Sequence, residues 1–481
     1  MSEEEYYQLG HGHGIDADMV DGLHAKEIEM KARRWSGGGP EAGLPCNYLI
    51  FMEGNIVKAI NGSTGKVQFS GTDASTVIQS AINAIKTAGA GSMHLKNANY
   101  ILNTKILIDF RHISIDADPG TIFSSNLLPC FEISGTLLDG DESVVVYDVQ
   151  VSNIKFLYTG TVTTGNFILL SKLQSDYKFQ GEISLNNIKI RSSEPATQAG
   201  IPTDDTFIGL KITDIVGATY NRLSVAGFGI GVKYVASDYQ GSHNVFYYPS
   251  IAFCRIGALY TGNAWGTTAE TWINPKIMYC SAFGLLSDPE IPGELTLISP
   301  QFENAPYRDN PALDGWALYF RGHSLYVENG LFSYVNNGLL AFVASSPNNS
   351  TATIMNCYFD NMYSTKKAIH AGKPITVINS YFTPDLAAPV DFEDTGHIKG
   401  WGNRWGANAY LTENSGTSTG TGAQQTIPHG CAFTPTYDQV FLSERSTGGA
   451  LAYQSATPDA TNIYVTATNL KTYNWQVSKN P

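Results

Sequence analysis

Three polar segments of the sequence carry the residue types that cleavage of a sugar chain requires. Residues 261–270, 287–294 and 304–316 are rich in carboxylates and aromatic rings, and short apolar runs separate them. The predicted catalytic carboxylates are Glu303, Asp309, Glu294 and Asp314. Glycoside hydrolysis needs two carboxyl groups roughly 5 to 9.5 Å apart, on either side of one bond. These segments are therefore the predicted place for glycan chemistry.

The same segments supply side chains that suit contact with sugars. The predicted glycan-binding residues are Trp265, Tyr307, Arg308, Trp316 and, in the next repeat, Glu328. Aromatic faces pack against sugar rings, and a few polar groups fix the orientation of the ligand. Two alternatives stay open. Tyr307 and Arg308 could serve a lyase as base and charge-neutralising group, or the acids could be ordinary solvated loop residues.

A separate pair of possible ligands lies near the start of the chain. His11 and His13 alternate with glycine, and alternate residues of an extended chain point the same way. Three copies around a threefold axis could therefore offer six imidazoles to one ion, and imidazole suits Fe, Ni or Zn. The alternative is a polar, glycine-rich segment with two exposed histidines. Beyond this ion, no cofactor is expected.

Other chemistries find little support in the sequence. The run GFGIGV at 227–232 does not fit the dinucleotide-binding pattern, and no helix follows it. No Ser-His-Asp set and no clustered aspartates for calcium can be recognised. The six cysteines are far apart and include no CxxC pair, so buried free thiols are expected rather than disulfides or a zinc site.

The elements that would position these residues repeat along the chain. Short strand-like runs such as VSNIKF, LNNIKI and VENGLF share an asparagine, or a substitute for it, followed by alternating apolar residues. The members of this marker column are Asn153, Asn187, Asn221, Tyr248, Asn274, Ser299, Asn329, Asn356 and Asn379. The intervals are 34, 34, 27, 26, 25, 30, 27 and 23 residues. Such a period indicates a solenoid, a propeller or another array.

Repeats of about 25 residues with three short strands each favour a parallel β-helix. Propeller blades are longer, and a leucine ladder is absent, which leaves a β-sandwich with fortuitous spacing as the alternative. In a β-helix the marker residues stack, so each asparagine amide can bond to its neighbour or to the turn backbone. Extra residues enter loops at the corners. The three polar segments follow the marker at similar offsets, so we expect them to stack into one rim.

Other signals set the predicted boundaries. Val77, Ile78, Ala81, Ile82 and Ile85 have helical spacing, so a helix is predicted at about 74–88, with Asp73 or Ser75 as N-cap and Gly89 after it. The predicted divisions are an N-terminal segment at 1–40, a lead-in at 41–71, the β-helix at 72–405, a linker at 412–423 and a β-rich module at 424–481.

Composition narrows the classes of partner. The net charge is −13, which argues against nucleic acid and anionic membranes, because both attract basic surfaces. It would also repel an acidic polysaccharide unless a local patch overrides it. No apolar run reaches the roughly 18 residues that span a bilayer. The first residues lack the pattern of a secretory signal, so we expect a cytoplasmic product that does not use that route.

Three passages resemble known families. GTDASTVIQSAINAIKTAGAGSMHLKNANYILNTKILI, with its Ile-Gln-x-Ala-Ile helix, resembles the entry to the pectate-lyase-like right-handed parallel β-helix. GHGHGIDADMVDGLHA resembles segments near the virion-attachment end of phage tail fibres. GTGAQQTIPHG and DATNIYVTAT resemble small distal modules of viral tail proteins.

Together these resemblances imply a viral tail spike or fibre. Such spikes are homotrimers that bind host cell-surface polysaccharide, and many cleave it. The resemblance also implies a place in the virion tail, with the N-terminal segment contacting other tail proteins. Two alternatives remain: a purely adhesive spike on the same scaffold, and a free polysaccharide lyase or hydrolase, against which the tail-like ends and the absent signal count.

Overall fold

The computed structural model describes most of the chain between residues 46 and 478. The described residues are 46–135, 148–172, 183–192, 201–203, 205–215, 217–236, 243–262, 269–287, 293–305, 315–342, 350–360, 367–373, 375–383, 390–392, 398–405, 408–409, 413–429, 431, 434–445 and 452–478.

Three long sheets, named A, B and C, form the body of the protein. Sheet A contains β1 (Tyr48–Glu53), β2 (Ile56–Asn61), β3 (Val67–Gly71), β4 (Gly91–Leu95), β7 (Ile113–Ala117), β10 (Val149–Ser152), β13 (Ile183–Asn186), β16 (Thr219–Asn221), β19 (Val245–Tyr247), β22 (Ala269–Ile273), β25 (Glu294–Ile298), β28 (Ser324–Glu328), β31 (Thr351–Met355), β34 (Ile375–Ile378) and β37 (Ile398–Trp401). Sheet B contains β5 (Asn99–Ile101), β8 (Ile122–Ser125), β11 (Lys155–Tyr158), β14 (Lys189–Arg191), β17 (Ser224–Ala226), β20 (Ser250–Ala252), β23 (Lys276–Met278), β26 (Gln301–Glu303), β29 (Leu331–Ser333), β32 (Tyr358–Asp360), β35 (Tyr381–Phe382), β38 (Arg404–Trp405) and β39 (Asn408–Ala409). Sheet C contains β6 (Ile106–Ile108), β9 (Phe131–Gly135), β12 (Gly165–Lys172), β15 (Phe207–Thr213), β18 (Ile230–Ala236), β21 (Ile256–Gly262), β24 (Phe283–Ser287), β27 (Trp316–Phe320), β30 (Asn337–Ala341), β33 (Ile369–Ala371) and β36 (Val390–Phe392).

The chain visits the three sheets in turn, and each strand pairs in parallel with the equivalent strand of the next coil. Strand β22, for example, pairs with β19 and β25 in sheet A, and β23 pairs with β20 and β26 in sheet B. Within the described residues, coils of three strands run from β4 to β36, and β37 and β38 begin another. The predicted parallel β-helix is confirmed. Crossovers between parallel strands are nearly always right-handed, and the structure is consistent with that hand.

Side chains that point into the coil stack on their equivalents in the next coil. Phe302, Phe332, Phe359 and Phe382 form one column in sheet B, with ring centroids 4.6 to 5.1 Å apart and rings within 14° of parallel. Parallel pairing forces this arrangement, because equivalent residues lie about 4.8 Å apart across the sheet. The alternation of apolar and polar residues in the sequence therefore separates a largely apolar interior from the outer faces.

The marker column lies at the bend between sheets A and B. Its members Asn153, Asn187, Asn274 and Asn329 have φ between 52° and 65°, in the left-handed region. Asparagine adopts this conformation more readily than most residues. The Asn187 side chain also donates to Asn153 Oδ1 at 2.8 Å, as the predicted ladder requires.

One member of the predicted column is displaced by one position. Arg222, rather than Asn221, has the left-handed φ of 53° at this bend. Strand register explains the shift, because Asn221 pairs with Asn186, the residue before the marker Asn187. The asparagine at 221 is therefore the last residue of its strand.

Sheet C contains a column of small residues where neighbouring strands approach closely. A Cβ atom on Gly231 would meet the carbonyl oxygen of Gly257, and one on Gly257 would meet that of Gly284. Larger side chains cannot fit at these positions without moving the backbone. The glycine-rich run at 227–232 thus contributes to packing of the solenoid.

One helix covers the first coil, as predicted. Helix α1 (Ala74–Ala88) has Asp73 as its N-cap and Gly89, with φ of 86°, after its last turn. Its buried face packs on the solenoid core. Gln79 completes the cover, because its side chain exchanges hydrogen bonds of 2.9 and 3.0 Å with the backbone of Leu107 in the terminal strand of sheet C. The helix therefore supplies hydrogen-bond partners to the edge strand of sheet C, whose backbone groups would otherwise be unpaired.

The predicted lead-in is part of the solenoid sheet. Strands β1, β2 and β3 form antiparallel pairs, and β1 pairs in parallel with β4, the first coil strand of sheet A. Sheet A therefore extends beyond the first coil. Among the described residues, no helix has both the length and the apolar character that crossing a membrane requires.

A small β module follows the solenoid. Its sheet D contains β40 (Glu413–Thr419), β45 (Thr472–Ser478) and β42 (Val440–Glu444), and its sheet E contains β41 (Gln424–Pro428), β44 (Asn462–Ala467) and β43 (Ala452–Ala456). A short 3₁₀ helix, Tyr437–Gln439, precedes β42.

The linker predicted at 412–423 is wrong for most of its length. Strand β40 pairs antiparallel with β45 over seven residues, so the module begins at about residue 413. Serine and glycine suggested a flexible segment, but the threonines in this run favour a strand once a partner strand is available.

Candidate functional site

The predicted single rim is divided between two corners of the solenoid. The segments at 261–270 and 287–294 connect strands of sheet C to strands of sheet A, whereas the segment at 304–316 connects sheet B to sheet C. Similar offsets from the marker column therefore did not mean the same corner. The prediction that all three stack into one rim is wrong.

The predicted site residues that the structure describes lie on different sheets. Glu294 begins a strand of sheet A and is exposed, Glu303 ends a strand of sheet B, and Trp316 begins a strand of sheet C. The Trp316 ring lies 6.0 Å from that of His370, on the same sheet.

Glu328 ends a strand of sheet A and accepts a hydrogen bond of 3.0 Å from Tyr326. It lies one coil from Glu294 but at the other end of the strand, about 13 Å along it. This separation exceeds the distance that a catalytic pair requires.

The remaining predicted site residues lie outside the described residues. They are Trp265, Tyr307, Arg308, Asp309, Asp314, His11 and His13. Their predicted roles stay predictions. Among the described side chains, no cluster of His, Cys, Asp and Glu could hold a metal ion.

Glu303 has a partner that the sequence pattern did not indicate. Glu303 pairs in register with Ser333, and Ser333 pairs with Asp360, so the three side chains form one column on the outer face of sheet B. Two strand spacings put the acidic residues about 9.6 Å apart along the column. Ser333, the residue between them, has a small side chain that is buried.

Exposed tyrosines flank this pair of acids. Tyr358 and Tyr381 stack on the outer face of sheet B, with ring centroids 4.8 Å apart and an angle of 7° between the rings. Tyr358 lies two residues before Asp360 on the same strand, and Tyr334 follows Ser333 at the adjacent corner. Tyr334 and Tyr358 are 43% and 42% exposed, so both offer a ring face to a ligand. We name these three tyrosines with Glu303, Ser333 and Asp360 the sheet-B surface.

Polar contacts orient parts of the sheet-B surface. The Gln301 amide donates to Glu303 Oε2 at 3.2 Å, and the backbone amide of Tyr334 donates to the carbonyl of Asp360 at 3.2 Å. Desolvation, followed by the nearby Asp360 carboxylate, raises the pKa of Tyr358, so its hydroxyl remains a hydrogen-bond donor at neutral pH. The surface thus combines aromatic faces, carboxylates and a phenol donor.

Glu270 does not belong to an exposed rim. It points into the solenoid, where its side chain is buried beside Asn244, which donates to Oε1 at 2.9 Å. Its Oε2 atom has no partner among the described residues, and the same holds for the buried Tyr220 hydroxyl. Burial raises the pKa of Glu270 well above its ordinary value, which favours the neutral, protonated form of the group in the folded protein.

No protein-family model and no curated protein matches this chain. Several solved structures with a similar fold are phage tailspikes. The Dettilon tailspike gp208 is 9% identical, with 84% of this chain and 90% of that chain covered and a TM-score of 0.45. The Pseudomonas phage phi297 tailspike gp61 is 12% identical, with 83% and 92% covered and a TM-score of 0.43. ORF18 of Geobacillus virus E2 is 14% identical, with 82% and 73% covered and a TM-score of 0.42.

Proposed function

We propose that this chain is a subunit of a trimeric viral tail spike that binds host cell-surface polysaccharide. The β-helix lies between two ends whose sequences resemble virion-attachment and distal tail modules. On this proposal the protein resides in the virion tail, and residues 1–40 contact other tail proteins. The observation that carries polysaccharide binding is the stack of the exposed Tyr358 on the half-buried Tyr381, beside Asp360.

The chemistry of the sheet-B surface fits a long glycan. Tyrosine rings pack against the apolar faces of sugar rings, and carboxylate oxygens accept hydrogen bonds from sugar hydroxyls. The surface follows the solenoid axis over successive coils, so it can contact several sugar residues of one chain. Its acids disfavour an anionic polysaccharide, in agreement with the net charge of −13.

Binding can be tested with the full chain and a panel of purified neutral and acidic bacterial surface polysaccharides. Tyr358→Ala combined with Tyr381→Ala should reduce affinity at least tenfold in biolayer interferometry. Tyr247→Ala is the matched control, because Tyr247 is 37% exposed on sheet A, away from this surface. Equal loss in the control and the double variant, or unchanged binding in both, would contradict a role for the sheet-B surface.

The second candidate function is hydrolysis of the bound polysaccharide, favoured by the spacing of Glu303 and Asp360. Two strand spacings, about 9.6 Å, are close to the roughly 9.5 Å upper limit for the carboxyl groups of inverting glycosidases. One carboxyl group would protonate the departing glycosidic oxygen, while the other takes a proton from water as the water attacks the anomeric carbon. The old C–O bond breaks as the new one forms on the opposite face.

Sizing of polysaccharide after incubation with the protein tests hydrolysis. Glu303→Gln and Asp360→Asn keep the shape of each side chain, so binding should survive while fragment release falls about 10²- to 10⁴-fold. Asp309→Asn tests one of the two further acids predicted in the segment at 304–316, the other being Asp314, and Glu53→Gln, at the other end of the solenoid, is the control. No fragments from the unchanged protein would favour the purely adhesive spike. Undiminished release from the three acidic-site variants and from Glu294→Gln would place the chemistry elsewhere.

The outer face of sheet C suits contact between subunits. Leu259, Leu286, Tyr319 and Leu340 occupy consecutive outward positions, in register from coil to coil. Leu286 and Tyr319 are half-buried in the single chain. Leu259 and Leu340 are already buried in the single chain, so Leu286 and Tyr319 supply the apolar surface that three copies around one axis would bury. We therefore place the subunit contacts of the proposed trimer on this face.

A further inference from the structure

A concave region of sheet D forms a second polar surface, in the C-terminal module. The three strands β40, β45 and β42 form its floor, and the cleft has a volume of about 530 Å³. Cavities of about 300 to 1,000 Å³ hold most small ligands of proteins. Asn474 and Gln476 lie at its centre, on outward positions of the middle strand.

A chain of hydrogen bonds fixes one row of side chains across this cleft. The Arg445 guanidinium donates to Thr417 Oγ1 at 3.1 Å, and Thr417 donates to Asn474 Oδ1 at 3.1 Å. The amide of Asn474 then lies 3.5 Å from Ser443 Oγ, at the limit of a hydrogen bond. Register explains the row, because Thr417 and Ser443 both pair with Asn474 across the sheet. The row is therefore ordered before any ligand arrives.

The neighbouring row leaves its side chains available. The Gln476 side chain makes no hydrogen bond to any of the described residues, so both its amide donor and its amide acceptor can bind a ligand. Phe441 pairs with Gln476 across the sheet and is 44% exposed. An exposed ring beside a free amide gives a stacking face and a pair of hydrogen-bonding groups within one cleft.

These features identify the class of ligand. Neighbouring hydroxyl groups of a sugar match the donor and acceptor of one amide, and the apolar face of a sugar ring packs on an aromatic ring. The described side chains that line the cleft are uncharged, with Arg445 at its margin.

We propose that this cleft is a binding site for a short neutral saccharide. Gln476 and the ordered Asn474 would bind its hydroxyl groups, and Phe441 would pack against one ring. The site uses only residues of the C-terminal module, so the evidence for it does not depend on the sheet-B surface.

Saturation-transfer difference NMR with the full chain tests the proposal. The probes are glucose, galactose, N-acetylglucosamine, N-acetylgalactosamine and lactose, with glucuronic and galacturonic acids as anionic counterparts. At least one neutral probe should bind, and the anionic ones should bind at least fivefold more weakly. Phe441→Ala and Gln476→Ala should each weaken binding about tenfold. Tyr453→Ala, an exposed aromatic on sheet E, should leave binding unchanged.

The outcomes separate this site from the sheet-B surface. Tyr358→Ala with Tyr381→Ala should leave neutral saccharide binding at the cleft intact, even where it abolishes polysaccharide binding. The proposal is overturned if no neutral probe binds, or if Phe441→Ala and Gln476→Ala both retain the original affinity. If, in addition to the absence of binding, Phe441→Ala changes the oligomeric mass, this face of sheet D is a subunit contact instead.

Discussion

At the scale of the residue, the bend between sheets A and B sets a conformation that only some side chains tolerate. Asn274 has a φ of 52°, and its backbone amide donates to the carbonyl of Ile298 in the next coil at 2.8 Å. The left-handed conformation costs ordinary L-residues roughly 1 to 2 kcal/mol. The marker column is therefore maintained by backbone conformation as well as by amide hydrogen bonds.

Two substitutions of Asn274 distinguish the effect of its backbone conformation on stability from the effect of its side-chain hydrogen bonds. Asn274→Ala should lower the free energy of unfolding by about 1 kcal/mol, because alanine resists a positive φ. Asn274→Gly should stay closer to the unchanged protein, since glycine adopts that conformation readily. Thermal unfolding midpoints at one protein concentration measure both. An alanine variant as stable as the glycine variant would contradict the conformational explanation.

The buried carboxyl of Glu270 predicts a dependence of stability on pH. The folded protein keeps this proton at pH values where the unfolded chain, with a glutamate pKa of about 4.3, has lost it. Unfolding then releases a proton, so the contribution of Glu270 to stability falls as pH rises above about 4.3. Glu270→Gln removes this effect and retains an oxygen for the Asn244 amide.

We therefore expect the difference in unfolding midpoint temperature, Glu270→Gln minus the unchanged protein, to increase from pH 5 to pH 8. Differential scanning calorimetry across that range measures it. Glu294→Gln is the control, because Glu294 is exposed on the neighbouring strand and its substitution should not change the slope. A Glu270→Gln variant whose midpoint follows pH as the unchanged protein does would exclude this explanation.

At the scale of the element, stacked rings connect one coil to the next. Phe332 lies 5.1 Å from Phe302 and 4.6 Å from Phe359, measured between ring centroids. Its removal would leave a cavity between two coils. Phe332→Ala should therefore lower the free energy of unfolding by about 3 to 5 kcal/mol, and Phe332→Leu by less.

Urea unfolding followed by circular dichroism measures these differences. Leu331→Ala provides the control, since Leu331 is the preceding residue on the same strand but points outward and is only half-buried. A larger loss of stability in Leu331→Ala than in Phe332→Ala would show that the ring column is not what stabilises these coils.

The cysteines belong to the same interior. Cys130, Cys254, Cys280 and Cys357 are buried, free thiols, as predicted from their spacing. Burial raises the pKa of Cys254 to about 11 and that of Cys357 to about 12. These groups therefore stay protonated and act as small apolar side chains that fill the interior of the coils.

At the scale of the whole molecule, the proposed trimer predicts the effect of charge on sheet C. Leu286→Glu would place carboxylates within the proposed subunit contact, so the variant should dissociate at a concentration where the unchanged protein remains trimeric. Leu331→Glu, an equivalent change on sheet B, should leave the trimer intact. Sedimentation velocity at micromolar concentration distinguishes the two. A monomeric unchanged protein would contradict the trimer itself.

The two N-terminal histidines predict an ion on the axis of the same trimer. His11 and His13 from three chains would supply six imidazoles, and binding should weaken as pH falls below about 6.5, because the ligands must be neutral. Elemental analysis of untagged protein should find about one Fe, Ni or Zn per three chains. A double variant, His11→Ala with His13→Ala, that keeps the same metal content would exclude this site.

The sequence by itself determined the features that depend on nearby residues. Helix α1 and its cap Asp73 follow from helical spacing and capping chemistry within one short segment. The asparagine column follows from a local turn that recurs from coil to coil after Asn153, and the parallel β-helix follows from that recurrence. In each case the decisive interactions lie within a few residues, or repeat with a period that the sequence displays.

Only the tertiary structure decided which side chains meet. Glu303 and Asp360 come together because 30 and 27 residues separate them from Ser333, and these intervals include corner segments of unequal length. Glu270 points inward because alternate residues of a strand face opposite sides, so a shift of one residue moves a side chain between core and solvent. Strand β40 became visible only with its partner β45, since pairing across about 60 residues leaves no local pattern in a polar run.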